Sequence, residues 1–284
     1  MTTREIKRIS TSLPTLEGAG VHLHRAFGNS DVTLFDPFLL LDDFRSDTPE
    51  HFLKGFPWHP HRGIETVTYV LKGDVEHGDS LGNKGDIGSG DVQWMTAGSG
   101  IIHQEMPKGD KEGRMEGFQL WANLRAIDKM MQPRYRDIGA AQIPSVTLDN
   151  GATIKVICGQ VGDVRGPVHD VMIEPEYLDV TLSPGSIFIH PTPQEHTVFA
   201  YVHGGKGRFG KTSDVLLGNR SLVLFDKGEQ VRITAGEEGL SFLLVGGKPL
   251  GEPVAWGGPI VMNTQEELQL AFDELRNNTF IKHD

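Results

Sequence analysis

Turn-forming residues punctuate this chain at intervals of roughly 8–12 residues, and that rhythm constrains its fold more than any other feature. Gly82-Asn-Lys-Gly85, Gly88-Ser-Gly-Asp91 and Thr96-Ala-Gly-Ser-Gly100 separate short runs such as Val92-Gln-Trp-Met95 and Ile101-Ile-His-Gln-Glu-Met106. The runs are apolar, β-branched or aromatic, as in Thr66-Val-Thr-Tyr-Val-Leu71, which is the composition strands prefer. With 35 Gly and 16 Pro among 284 residues, the chain has the balance of many short strands joined by tight turns. A sandwich or barrel of short strands is therefore expected.

The rhythm breaks once. Between residues 126 and 150, Asp128, Lys129, Pro133, Arg134, Arg136 and Pro144 read as a surface connection. The strand pattern resumes at Thr153-Ile-Lys-Val-Ile157. It continues through Leu178–Leu182, Ser186–His190, Thr197–Val202, Ser221–Phe225, Val231–Thr234 and Ser241–Val245. Two all-β units in tandem are expected, residues 1–132 and 151–284, with 133–150 as linker. The end is a helix. Thr264-Gln-Glu-Glu267 can form a capping box, and Leu268, Ala271, Phe272 and Leu275 make one apolar stripe.

Charge and cysteine content limit the function classes. A formal net charge of −11 disfavours direct contact with a nucleic-acid backbone. One cysteine, Cys158, allows no intrachain disulfide and fits a reducing compartment. The opening residues Met-Thr-Thr-Arg-Glu-Ile hold no apolar leader, and no stretch approaches the roughly 18 apolar residues of a membrane span. A cytoplasmic monomer is expected.

The chemistry concentrates in Gly55-Phe-Pro-Trp-His-Pro-His-Arg-Gly-Ile-Glu65. His59, His61 and Glu65 stand at even offsets, so in one strand they point to one face. Two imidazoles and a carboxylate on one face suit a first-row transition metal. His103-Gln-Glu105 offers a second imidazole–carboxylate pair two residues apart. Spacing leaves open whether Glu65 or Glu105 is the carboxylate. Other histidines read as bland. His22 and His24 are expected to face water while Val21 and Leu23 face the core. His77, near a turn and between charges, is expected to be solvated. Candidate pocket walls are Phe52, Phe56, Trp58, Trp94, Met95 and Met106. Asp42 and Asp43 read as charges at a strand end.

The pattern Gly-x3-His-x-His-x3-Glu-x7-Gly from Gly55 to Gly73 resembles the first cupin motif, one position off its usual spacing at each end. Gly90-x5-Thr-x-Gly-x4-His, ending at His103, resembles the second, with Thr96 where cupins usually have Pro. Six segments resemble the pirin family more closely. They are Asp36–Phe44, Phe56–Tyr69, Asp91–Gly98, Ile102–Pro107, Phe118–Leu124 and Gly258–Glu267. The likeness spans nearly the whole chain and is thinner between residues 150 and 250. It implies two tandem cupin, jelly-roll-like β-barrels with a C-terminal α-helix, and one mononuclear iron in the first barrel only. It places the ligands at His59, His61, His103 and Glu105, which leaves Glu65 near the metal or facing substrate. It implies an oxidoreductase like quercetin 2,3-dioxygenase, taking O2 and an aromatic flavonol, with Glu65 or Glu105 as proton acceptor. The alternative it implies is a non-catalytic, iron-binding regulator whose partner is a transcription factor or a metabolic enzyme. Nickel, copper, manganese or zinc would also suit such ligands.

Overall fold

The structure is a computed structural model and describes residues 1–283. Its contacts divide the chain into two compact units. One holds Leu13–Ala140 and Leu250–Asp284, the other Met1–Ser12 and Ala141–Pro249. Both are built of antiparallel strands.

The first unit has a seven-stranded and a four-stranded sheet. The larger runs in the order Arg134–Ile138, Val92–Thr96, Ile64–Lys72, Glu116–Asn123, Phe38–Asp43, Val21–Phe27, Leu13–Glu17. The smaller runs Phe56–His61, Ile101–Pro107, Val75–Asp79, Lys84–Ile87. Alternation sets which side chains enter the barrel. In Ile101–Pro107 the odd positions are buried and the even ones half-buried, so His103 and Glu105 share one face. Val21 and Leu23 are likewise buried, while His22 is exposed and His24 half-buried. Phe38–Asp43 is buried at every position: the apolar run accounts for Phe38 to Leu41, while Asp42 and Asp43 are charges at the strand end that are buried against Arg25 and Arg45.

The second unit is a nine-stranded sheet wrapped around a core that includes Val156, Leu178, Val180, Phe188, Val198 and Phe242. Two strands expected at 231–234 and 241–245 are one continuous strand, Gln230–Gly247. Gly236 and Gly239 pass within it without ending it, because it pairs with Thr197–Phe209 along both halves.

Three local expectations change. The segment read as a linker carries paired strands: Arg134–Ile138 lies against Val92–Thr96, and Ser145–Thr147 against Ala152–Cys158. Both are sheet edges, where charged residues and proline are tolerated, so their composition looks like surface. The unit boundary falls near residue 140 instead. The C-terminal helix Gln265–Arg276 has the anticipated capping box. Its Leu268 and Ala271 pack with Ala255, Ile260, Met262 and Phe280, inside the unit that begins at Leu13. No helix among the described residues is long and apolar enough to cross a membrane.

Candidate metal centre

His59 and His61 lie on Phe56–His61, and His103 on the neighbouring Ile101–Pro107, where it pairs directly with His59. One ring nitrogen from each of the three lies within 4.8 Å of the others. The outer nitrogens are already engaged. His59 Nδ1 donates to the Pro57 carbonyl at 2.8 Å, and His61 Nδ1 donates to the Pro259 carbonyl at 3.0 Å. A carbonyl can only accept, so each Nε2 carries a lone pair. Those two Nε2 atoms face each other at 3.0 Å. His103 Nε2 is buried and has no hydrogen-bond partner.

Facing lone pairs need either a shared proton or a cation. Burial lowers the pKa of all three rings, that of His61 to about 3, which disfavours the proton. Two converging lone pairs with a third neutral imidazole beside them, its buried Nε2 unpartnered, are a set that fits a transition metal.

The carboxylates separate. Glu105 is buried and lines the same cavity as His59 and His61. Gln119 Nε2 donates to its Oε2 at 3.1 Å, and the Thr68 hydroxyl can donate to its Oε1 at 2.8 Å. Burial raises its pKa, and these bonds only partly oppose that. Glu65 is also buried, but it accepts from the Thr96 hydroxyl at 2.6 Å and does not line the cavity. The even spacing from His61 to Glu65 does not carry across. His61 ends one strand, Gly63 turns the chain at φ +77°, and Glu65 lies in the next strand. A side chain at Gly63 would also collide with the Val261 carbonyl.

The cavity has a volume of about 730 Å³. Val21, Leu23, Leu40, Phe44, Phe52 and Phe56 supply apolar wall, with Trp121 and, against it, Trp256. Trp121 meets the His61 ring edge-on at 4.9 Å between centroids. Polar groups are few. Besides the site itself they are chiefly Glu17, Arg25 and Asp42, and Arg25 forks onto Asp42 at 2.8 and 2.7 Å and pairs with Glu17 at 2.8 Å.

Of the anticipated walls, Phe52 and Phe56 line the cavity. Trp58 is 53% exposed, because it neighbours His59 in the strand and so points the other way. Trp94 and Met95 are buried outside the cavity, Met95 in a core with Ile64 and Ile101. Met106 alternates with Glu105 and lies beside Gly55. Trp121 and Gln119 went unremarked, although their two-residue spacing in a buried strand places them on one face.

His77 also departs from expectation. It is 1% exposed, lies in Val75–Asp79, and places Nε2 at 3.4 Å from His103 Nδ1. Its Nδ1 is 3.1 Å from the Tyr135 hydroxyl. Glu76 beside it is exposed, and strand alternation puts His77 inside. In the second unit His190 bonds Glu176 at 2.8 Å, and His203 bonds Asp179 at 3.1 Å.

Residues 20–122 match the Pirin family, and residues 177–281 match the Pirin C-terminal cupin domain. The chain is 43% identical to a pirin-like protein of Caulobacter vibrioides, over 99% of this chain and all of that one. It is 40% identical to Pirin-1 of Arabidopsis thaliana, over 96% of this chain and 92% of the relative. A crystal structure described as quercetin 2,3-dioxygenase from Acinetobacter baumannii superimposes with a TM-score of 0.88. It is 32% identical, with 98% of each chain covered.

Proposed function

Because the chain belongs to the pirin family, with two cupin barrels, we propose that it is a metal-dependent dioxygenase of quercetin-type flavonols. The reaction adds the two atoms of O2 to C2 and C4 of the heterocycle, breaks the C2–C3 and C3–C4 bonds, and releases C3 as carbon monoxide. The observation that carries this reading is the pair of Nε2 lone pairs 3.0 Å apart on the wall of an apolar cavity of about 730 Å³. That volume lies in the range of small-molecule sites, and its aromatic walls suit a flat substrate.

His59, His61 and His103 hold the metal, with the Glu105 carboxylate as fourth donor. The family likeness favours iron. When bound, the metal supplies Lewis acidity toward the flavonol 3-hydroxyl and electron exchange with O2. The protein's own groups do the rest. Glu105, whose proton affinity burial has already increased, takes up the 3-hydroxyl proton. Thr68 and Gln119 hold that carboxylate in place. Phe52, Phe56 and Trp121 exclude water from the reacting ring, and Arg25 with Asp42 presents polar atoms to the outer hydroxyls.

The test is an oxygen electrode with quercetin and anaerobically iron-loaded protein. O2 uptake matched by carbon monoxide is expected from the wild type, and His59→Ala should abolish both. Wild type that holds iron yet consumes no O2 with any flavonol would return the chain to the regulatory reading, with a protein as partner.

A further inference from the structure

His77 and Tyr135 form a chain of hydrogen bonds leading away from His103, and nothing in the proposed chemistry uses it. His103 Nδ1 is 3.4 Å from His77 Nε2, and His77 Nδ1 is 3.1 Å from Tyr135 Oη. The Gln93 amide donates to the same oxygen at 2.7 Å. Asp137 lies two residues beyond Tyr135 on the same strand and pairs with Gln93 across the ladder. We propose that His77 and Tyr135 are positioning residues that hold His103 in its metal-binding tautomer, with every proton directed away from the metal. The proposal rests on the metal centre described above.

The direction of the chain follows from what each atom can do. Tyr135 is also hydrogen-bonded to the Asp137 side chain, and a carboxylate accepts, so the phenol proton points to Asp137. Gln93 fills one lone pair on Oη, so His77 Nδ1 must be the donor to the other. Its Nε2 then carries a lone pair and can only accept, so His103 Nδ1 holds the proton. That leaves His103 Nε2 with the lone pair a metal requires. The reverse order would put a proton on His103 Nε2. That atom is buried and has no partner, and a buried unpaired donor costs about 1–3 kcal/mol. The three ligands would then share one logic. Pro57 and Pro259 carbonyls fix the tautomers of His59 and His61, and His77 fixes that of His103.

Long-range 1H–15N correlation on metal-free, 15N-histidine wild type at pH 7.5 reads the tautomers directly. Nδ1–H is expected on both His77 and His103. Zn(II) affinity by chelator competition supplies the second readout. His77→Phe keeps ring volume but cannot accept, and should weaken Zn(II) binding by about 10–100-fold. His77→Gln can offer a carbonyl to His103 and should recover most of the loss. Tyr135→Phe should lose less than His77→Phe. His103 protonated at Nε2, or Zn(II) affinity of folded His77→Phe within twofold of wild type, overturns the relay and leaves the metal centre standing. Wild type that takes up no Zn(II) overturns the metal centre itself. If His77→Phe does not fold, the wild-type tautomers decide.

Discussion

Glu105 keeps its carboxylate where water scarcely reaches. It is 4% exposed, and burial raises its pKa above the ordinary 4.5. Above pH 4.5 the unfolded chain has released this proton while the folded chain still holds it, up to the raised value. Over that window the folded state binds more protons, so this group makes the metal-free protein less stable as pH rises. Glu105→Gln removes the ionisation. The variant should be more stable than metal-free wild type at pH 7, with the difference shrinking toward pH 4. Its metal affinity and flavonol turnover should both fall. Urea denaturation at several pH values and chelator competition would check this. A variant less stable at pH 7 than at pH 4, relative to wild type, would contradict it. The clustered histidines were legible because His59, His61 and His103 sit in motifs whose spacing is local. Glu65 and Glu105 were not separable, because parity holds only within one strand and Gly63 restarts it. His77 was misjudged for a related reason. Its sequence neighbours Glu76 and Asp79 are polar, and only the pairing with Ile101–Pro107 reveals the buried face.

At the scale of elements, the turn His61-Arg62-Gly63 is clamped by chain about two hundred residues away and more. Arg62 donates to the carbonyls of Ser99 and Phe280 at 2.6 and 2.8 Å, and pairs with Glu274 on the C-terminal helix at 2.7 Å. Its guanidinium also lies 4.2 Å above the Phe280 ring. Lys129 donates to Gly63, Asn123 and Val261. Pro259, two residues before the anchored Val261, orients His61. Arg62→Ala should therefore cost about 2–5 kcal/mol, because it leaves the carbonyls of Ser99 and Phe280 without their donor at about 1–3 kcal/mol each. It should also weaken metal uptake by the molecules that remain folded. Denaturation of the two proteins side by side measures the first effect, and a loss under about 1 kcal/mol, typical of an exposed pair, would contradict it. The helix itself was readable from Thr264, Glu267 and the spacing of Leu268 and Ala271. Its destination was not, because an apolar stripe specifies that a face is buried and not which barrel buries it.

For the whole molecule, the presence of two β units was readable from the strand rhythm, but the division of the chain was not. Residues 1–12 fold with the unit that starts at Ala141, and residues 250 onward with the unit that starts at Leu13. Ile6–Thr11 pairs with Ser221–Phe225, more than two hundred positions distant, and no local signal encodes that. The exchange brings Trp256 and Pro259 to the site, so the candidate metal centre draws on both ends of the numbering. In the other unit His190 and His203 each spend a ring nitrogen on a carboxylate. Among the described residues, the three-histidine cluster lies in the first unit alone. The central claim is that this cluster holds a single metal, and elemental analysis of protein purified without a histidine tag tests it most directly. About one transition-metal ion per chain is expected for wild type, and little above background for His61→Ala with its fold intact by circular dichroism. Equal metal content in the two proteins, or none in either after anaerobic loading, would contradict the claim.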